Sequence, residues 1–227
     1  METKEEILKI LKEKSLTKQK VFDNTLETFK MIKVVLQEFQ KEYNTKLEGL
    51  DQRIHMEYKD YGKFESHLKV AGDLLIFSMH SNAFEFNREH VIWKTTYAQQ
   101  DKLNTYCGII NIYNFLADSF RYHRDEDLGY LIARIFINKD SFYIVEGKRQ
   151  LGYLYNSFGQ QKINKDILTE IIRNTILYTL EFDLLVPPYD AVKIASVAQM
   201  NQKIENSKLQ TGKRLGFKFN SDDVGGQ

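Results

Sequence analysis

From Phe22 onward the apolar residues fall at Phe22, Leu26, Phe29, Ile32, Leu36, Phe39, Tyr43, Leu47, Leu50 and Ile54, in steps of three and four that alternate almost throughout. That spacing lays one stripe along an α-helix, and about four heptads of it predict a helix about 45–50 Å long at 1.5 Å per residue. Residues 1–48 contain no Gly and no Pro and are rich in Glu, Lys, Leu and Gln, so local propensity agrees. Ahead of the stripe, residues 4–14 carry a short apolar run of Ile7, Leu8, Ile10 and Leu11. The hydroxyls of Ser15 and Thr17 offer caps for a fresh start, so two helices are predicted. A helix this long exceeds the reach of a small core. The seam, with Phe29, Ile32, Leu36, Phe39, Tyr43 and Leu47 as its interaction residues, is therefore expected to pack on the first helix or on a second copy in a coiled-coil-like homodimer, with packing inside one chain as the plain alternative.

Near Gly62 the periodicity changes. Tyr58, Tyr61 and Phe64 crowd the junction, and beyond them β-branched and aromatic residues take over. Residues 67–70, 73–79 and 83–86 read as strands, with His80-Ser81-Asn82 as a turn, and 91–96 continues the meander. AQQDKLN is a polar loop. Residues 106–116 form a strand with Ile110, Ile112 and Asn114 facing opposite to Ile109, Asn111, Tyr113 and Phe115. After the charged loop RYHRDED, segments 130–137, 142–146 and 151–158 are separated by Asn138-Lys139-Asp140 and Gly147-Lys148-Arg149. Turns this short forbid a helical crossover, so the three strands must be antiparallel.

Asn164 can cap a helix running from 165 to about 182, with Ile163 and Leu168 spaced for a hydrophobic staple. Its wide apolar face, through Leu168, Ile171, Ile172, Ile176, Leu177 and Leu180, is expected to lie on the sheet. Pro187-Pro188 ends that segment. A short strand (192–197), a polar helix or loop (199–207) and a final strand (212–219) follow. The fold class is α+β: a helical arm over 1–60, hairpin or coiled-coil-like; a mostly antiparallel sheet domain over 61–220 covered by the later helix; and a disordered tail over 221–227.

Composition sharpens this only in part. Hydrophobic residues are 42% and aromatics 13%, too much apolar surface for an unfolded chain. Lys plus Arg number 32 and Asp plus Glu 31, so a formal charge of +1 supplies no global field toward nucleic acid or an anionic membrane, and neither is expected as a partner. The single cysteine, Cys107, excludes an intramolecular disulfide and a Cys-based zinc cluster; it reads as a small buried hydrophobe in a reducing, cytoplasmic setting. The N-terminus has neither a signal-peptide nor a membrane-spanning pattern.

One short stretch carries candidate chemistry. FYIVEGKRQ ends a strand in Glu146-Gly147-Lys148, which resembles, over a few residues only, the Glu-x-Lys of the restriction-endonuclease-like superfamily. The resemblance implies Mg²⁺ held by Glu146 and an upstream acid, with Lys148 positioning water at a phosphate. Asp127 is the candidate acid, with Glu126 or Asp125 as substitutes, and antiparallel pairing is expected to bring Asp127 near Glu146. The competing reading is a solvated hairpin edge.

His55, His67, His80, His90 and His123 form no helical metal pair; the densest groupings are Glu85, Glu89 and His90, or His123 with Asp125, both read as surface. No Gly-x-Ser-x-Gly, dinucleotide fingerprint or P-loop is present. The alternation in Gly212–Phe219 suits stacking on single strands but equally an edge strand. Aromatics on the sheet are core where a helix covers them; on a face left open they make a ligand pocket or protein-binding surface. The leading expectation is a non-catalytic interaction or regulatory module without cofactor. It self-associates through the N-terminal helices and binds a protein or small ligand on the sheet domain. A metal-dependent nuclease or phosphodiesterase and an architectural component of a larger assembly are the alternatives.

Overall fold

A computed structural model describes residues 2–125, 127–148, 151, 158–181, 184–185 and 217–218. The chain starts as helix α1 (Glu2–Ile10), passes through a π-helical stretch (Leu11–Ser15) and continues as α2 (Leu16–Lys46) without a break. Ser15 keeps helical angles (φ −72°, ψ −39°) and caps nothing, so the two separate helices expected from Ser15 and Thr17 are one rod. Nothing in this stretch can stop a helix. The Leu16 N–H donates to Leu11 O, five residues back, which widens one turn without ending it.

The rod ends earlier than the apolar stripe suggested. Leu47 leaves helical angles, Gly49 takes φ +84°, and Leu50 and Ile54 are exposed. Met56–Asp60, expected at the end of the arm, is instead strand β1.

Six more strands follow in one antiparallel sheet: β2 (Glu65–Val70), β3 (Asp73–Met79), β4 (Phe84–Glu85), β5 (Tyr106–Leu116), β6 (Tyr130–Asn138) and β7 (Tyr143–Gly147). Their order is β1-β2-β3-β5-β6-β7, with β4 pairing the start of β5. The outer edge of β1 is not left bare. Asn44 of α2 donates to Met56 O and accepts from Met56 N–H, both at 2.9 Å, and Gln40 Oε1 accepts from Tyr58 N–H at 2.7 Å. Helix side chains thus stand in for a missing strand, which protects an edge otherwise open to aggregation.

Two predicted segments take another form. Residues 91–96 are a 3-10 turn (Val91–Lys94) rather than a strand, and the polar loop contains α3 (Thr96–Gln100) and a second 3-10 turn (Lys102–Thr105). Caps decide this. His90 Nδ1 accepts from Ile92 N–H at 3.2 Å, Thr95 Oγ1 from Ala98 N–H at 3.3 Å, and Asp101 Oδ1 from Leu103 N–H at 2.9 Å. The charged 121–127 region opens with a short helix, α4 (Ala117–Arg121), directly after β5.

The expected third strand of the meander over 151–158 lies outside the described residues apart from Leu151 and Phe158, as does most of the chain after α5 (Lys165–Glu181). Beyond α5 the described residues are β8 (Leu184–Leu185) and β9 (Phe217–Lys218), paired in parallel. Asn164 caps α5 as predicted, its Oδ1 accepting from Ile167 N–H at 2.9 Å.

One apolar cluster joins the inner sheet face to both long helices. Phe29, Ile32, Val35, Leu36 and Phe39 of α2 and Leu168, Ile171, Ile172 and Ile176 of α5 meet Leu68, Leu75, Phe77, Ile110, Ile112, Ile135 and Val145. The α5 face is narrower than its sequence suggested, because Leu177 and Leu180 are half exposed. α2 touches β1, β3, β5 and β6 and lies beside α5. The first four of the six proposed dimer-seam residues, Phe29, Ile32, Leu36 and Phe39, are at most 5% exposed within a single chain, and Tyr43 and Leu47 are partly buried. That seam is used in cis, since a 31-residue helix lying across a six-strand path can bury its stripe on its own sheet.

The outer sheet face is treated differently in its two halves. Over β5–β7 it is closed by a second cluster of Ile92, Cys107, Phe136, Ile144 and Phe158, with Phe86, Trp93 and Tyr97 around it. Cys107 is fully buried there, and burial pushes its thiol pKa up, in keeping with a packing role. Over β1–β3, among the described residues, α4 lies alongside and a cavity remains.

Candidate functional site

The open half of the outer face is built by strand register. In β1 and β2, Glu57 stands opposite Lys69 and Lys59 opposite His67. Because side chains alternate along a strand, these four share one face, and Leu74 from β3 joins them opposite Lys69. The Tyr61–Phe64 turn, with Gly62 at φ +101°, brings Tyr61 over the same face. α4 closes the other side; it is anchored where Ala117 N–H donates to Gly72 O at 2.9 Å, beside the β2–β3 turn. Between them lies a cavity of about 650 Å³, lined also by Arg53, Phe120, Arg121 and Tyr122. That volume lies within the usual range for small-molecule sites, about 300–1,000 Å³.

The charges in this cavity are unequal. Arg53, Lys59, Lys69 and Arg121 line it against Glu57 and Asp118, an excess of two positive charges in a chain whose total is +1. Lys69 Nζ holds Glu57 Oε1 at 2.5 Å, and this hydrogen bond lowers the Glu57 pKa. Arg53 grips Asp51, keeping that carboxyl down at about 2 through the side-chain hydrogen bond and the Arg53 N–H. Lys59 and Arg121 make no ion pair among the described residues; the Arg121 guanidinium sits 5.4 Å from the Tyr122 ring.

Aromatic rings frame the cavity. His67, only 6% exposed, has its ring 4.1 Å from that of Tyr61 and 6.2 Å from that of Phe120. Its Nε2 lies 2.7 Å from Glu65 Oε1, yet burial outweighs that partner and lowers the imidazole pKa. The ring therefore stays neutral near pH 7. Phe120 stands edge-on to Phe115 at 5.3 Å and 89°, which fixes its orientation.

The sequence-predicted metal site is not assembled. Arg134 is the cross-strand partner of Glu146, four residues into β6 from Tyr130 and about 13 Å along the strand. Asp127 lies further back still and turns to α4, accepting from Ser119 Oγ at 2.6 Å and pairing with Arg124 at 2.9 Å. The two were expected to meet because each sits at a strand end. β7 is only five residues long, so its end faces the middle of β6 instead.

Glu146 is exposed beside Arg134 (3.7 Å) and His90 (3.9 Å), and Lys148 is exposed in the following turn. Glu126 lies outside the described residues. Among the described residues no three His, Cys, Asp or Glu side chains are grouped to hold a metal ion, so Glu85, Glu89 and His90 form no such cluster, and no third ligand joins His123 and Asp125. Glu85 is occupied by Arg88 at 3.2 Å and Tyr106 at 3.1 Å. Of the basic-aromatic strand 212–219, only Phe217 and Lys218 are described.

The cavity residues were not singled out from the sequence. A signal was present in retrospect: Glu57, Lys59, Glu65, His67 and Lys69 place charged or polar groups at every second position of two adjoining strands. No described helix is long and apolar enough to cross a membrane. Compared with protein-family models, with curated proteins and with solved structures, the chain gives no match.

Proposed function

We propose that this protein is a non-catalytic binding module that takes a small anionic ligand in the cavity between β1–β3 and α4. The observation that carries the reading is local charge. Four cations line one concave face of a nearly neutral chain; Arg53 is paired with Asp51 and Lys69 with Glu57, whereas Lys59 and Arg121 make no ion pair among the described residues. Concave walls of low dielectric concentrate that field. The Asp127, Glu146 and Lys148 arrangement gives no comparable support to a nuclease, since its two carboxylates do not converge.

The test is thermal unfolding of the full chain with inorganic pyrophosphate as probe. A ligand that binds only the folded state raises apparent stability by about 2.7 kcal/mol at a hundredfold excess over Kd. The expected result is a concentration-dependent rise in Tm for the wild type that is lost in Lys59→Ala/Arg121→Ala. A rise of equal size in that variant, or none in the wild type, removes the reading.

Self-association is kept as a second reading, but through α1. Ile7, Leu8 and Ile10 there, and Leu11 at the start of the π-helical stretch, are each 50–54% exposed, whereas the seam first considered is covered by the chain's own sheet. Deleting residues 1–15 stops short of Thr17, the first buried residue of α2. The deletion should reduce a dimer mass to a monomer mass by light scattering. A monomer mass for the full chain disposes of it.

A further inference from the structure

We infer that the ligand of this cavity is of the mononucleotide class, a phosphate ester carrying a planar ring system. The inference rests on the anion-binding reading above and adds the second half of the ligand. An anion alone accounts for the cations. It leaves Tyr61 and Phe120 unexplained, which are 55% and 48% exposed at the same mouth.

Both present exposed rings at one cavity mouth. Both flank the neutral imidazole of His67, Tyr61 at 4.1 Å and 37° and Phe120 at 6.2 Å and 67°. Phe120 is held from behind by Phe115. A planar heterocycle laid against these rings removes apolar surface from water and gains stacking worth about 1–3 kcal/mol per base. An aliphatic polyanion gains neither.

The cations adjoin the rings. Lys59 is the cross-strand neighbour of His67, and Arg121 follows Phe120 in α4, on the opposite wall. Lys69 is held by Glu57, so Lys59 and Arg121 are the cations offered to the phosphate. One concave pocket with cations and exposed rings at the same mouth fits a single nucleotide better than a strand.

Calorimetric titration of the full chain decides the matter, with AMP, GMP, CMP and UMP compared with pyrophosphate, adenosine and a ten-residue oligothymidylate. At least one mononucleotide is expected to bind about tenfold tighter than both pyrophosphate and adenosine. Phe120→Leu should weaken it at least about fivefold, the lower end of a stacking contribution, and leave pyrophosphate binding unchanged. Tyr61→Ala, in an exposed turn, should act in the same way and serves if Phe120→Leu lowers the thermal midpoint. Pyrophosphate binding as tightly as every mononucleotide overturns the nucleotide assignment and leaves the anion site standing. Absence of any anion binding overturns both. An oligothymidylate bound more tightly than any mononucleotide also overturns it, in favour of a single-strand surface.

Discussion

Phe29→Ala should lower the unfolding free energy by about 3–5 kcal/mol, the range for emptying a fully buried aromatic site. Phe29 is 0% exposed and sits where α2 crosses the inner sheet face, in the same cluster as Leu36, Ile110 and Ile135. Partial collapse cannot refill the space, because α2 is fixed on one side by the edge of β1 through Gln40 and Asn44. On the other, Asn24 Nδ2 donates to Lys139 O at 2.7 Å. Urea unfolding followed by circular dichroism reads the loss as a lower midpoint with an unchanged slope. In a chain lacking residues 1–15, which removes the exposed N-terminal stripe, the midpoint should not move with protein concentration, since the Phe29 ring packs within its own chain. A loss under 1 kcal/mol, or a midpoint that climbs with concentration in that shortened chain, contradicts packing of this seam in cis.

The second large effect is expected at Gly108, where the central strand meets the helix most closely. A Cβ added there falls 2.1 Å from Thr25 Oγ1 and 2.9 Å from Thr25 Cβ and Cγ2. Thr25 cannot swing aside cheaply: its χ1 is restricted by β-branching, and its hydroxyl donates to Val21 O at 2.6 Å. Gly108 cannot retreat either, being paired to Ile137 in the β5–β6 ladder. Gly108→Ala should therefore cost about 3 kcal/mol, the upper end of ordinary overpacking.

A double-mutant cycle isolates the cause. Thr25→Gly alone should cost only about 0.3 kcal/mol in helix propensity, besides its lost packing, and the pair should be clearly more stable than the sum of the single losses. Simple additivity would show that the close approach is not what makes glycine necessary here.

Thr25 and Gly108 also mark a limit of pattern reading. Apolar periodicity located α2 and nominated Phe22 and Leu26, yet both are only partly buried, whereas Thr25 and Thr28 are at most 1% exposed. A threonine satisfied by its own helix carbonyl is small enough to let a helix backbone approach a sheet, and hydropathy cannot distinguish it from a surface threonine. The same reasoning covers the edge of β1. Asn44 and Gln40 look like solvated positions on a helix, and only the neighbouring strand shows them serving as backbone partners.

Strands with strong alternation were legible: β3 and β5 span the predicted residues, β6 runs one residue longer, and β7 is shifted by one residue at both ends. The 91–105 excursion was not, because three side-chain caps outweighed its aromatic and β-branched residues. The cavity was the least legible feature. Its members come from residues 53–74 and 117–122, and they converge only through the Lys59–His67 register and the Ala117–Gly72 hydrogen bond.

By itself, the order of residues determined that this chain forms a long helix and a mostly antiparallel sheet, because periods of 3.6 and 2 are local properties that apolar burial enforces wherever a core is available. Tertiary structure alone decided which partner the helix stripe takes, which acids meet, and where the sheet stays open. Those outcomes depend on the lengths of β1, β7 and α2 and on the register between strands. A slip of one residue in β1 or β2 would turn Lys59 or His67 toward the core and leave no cavity to fill.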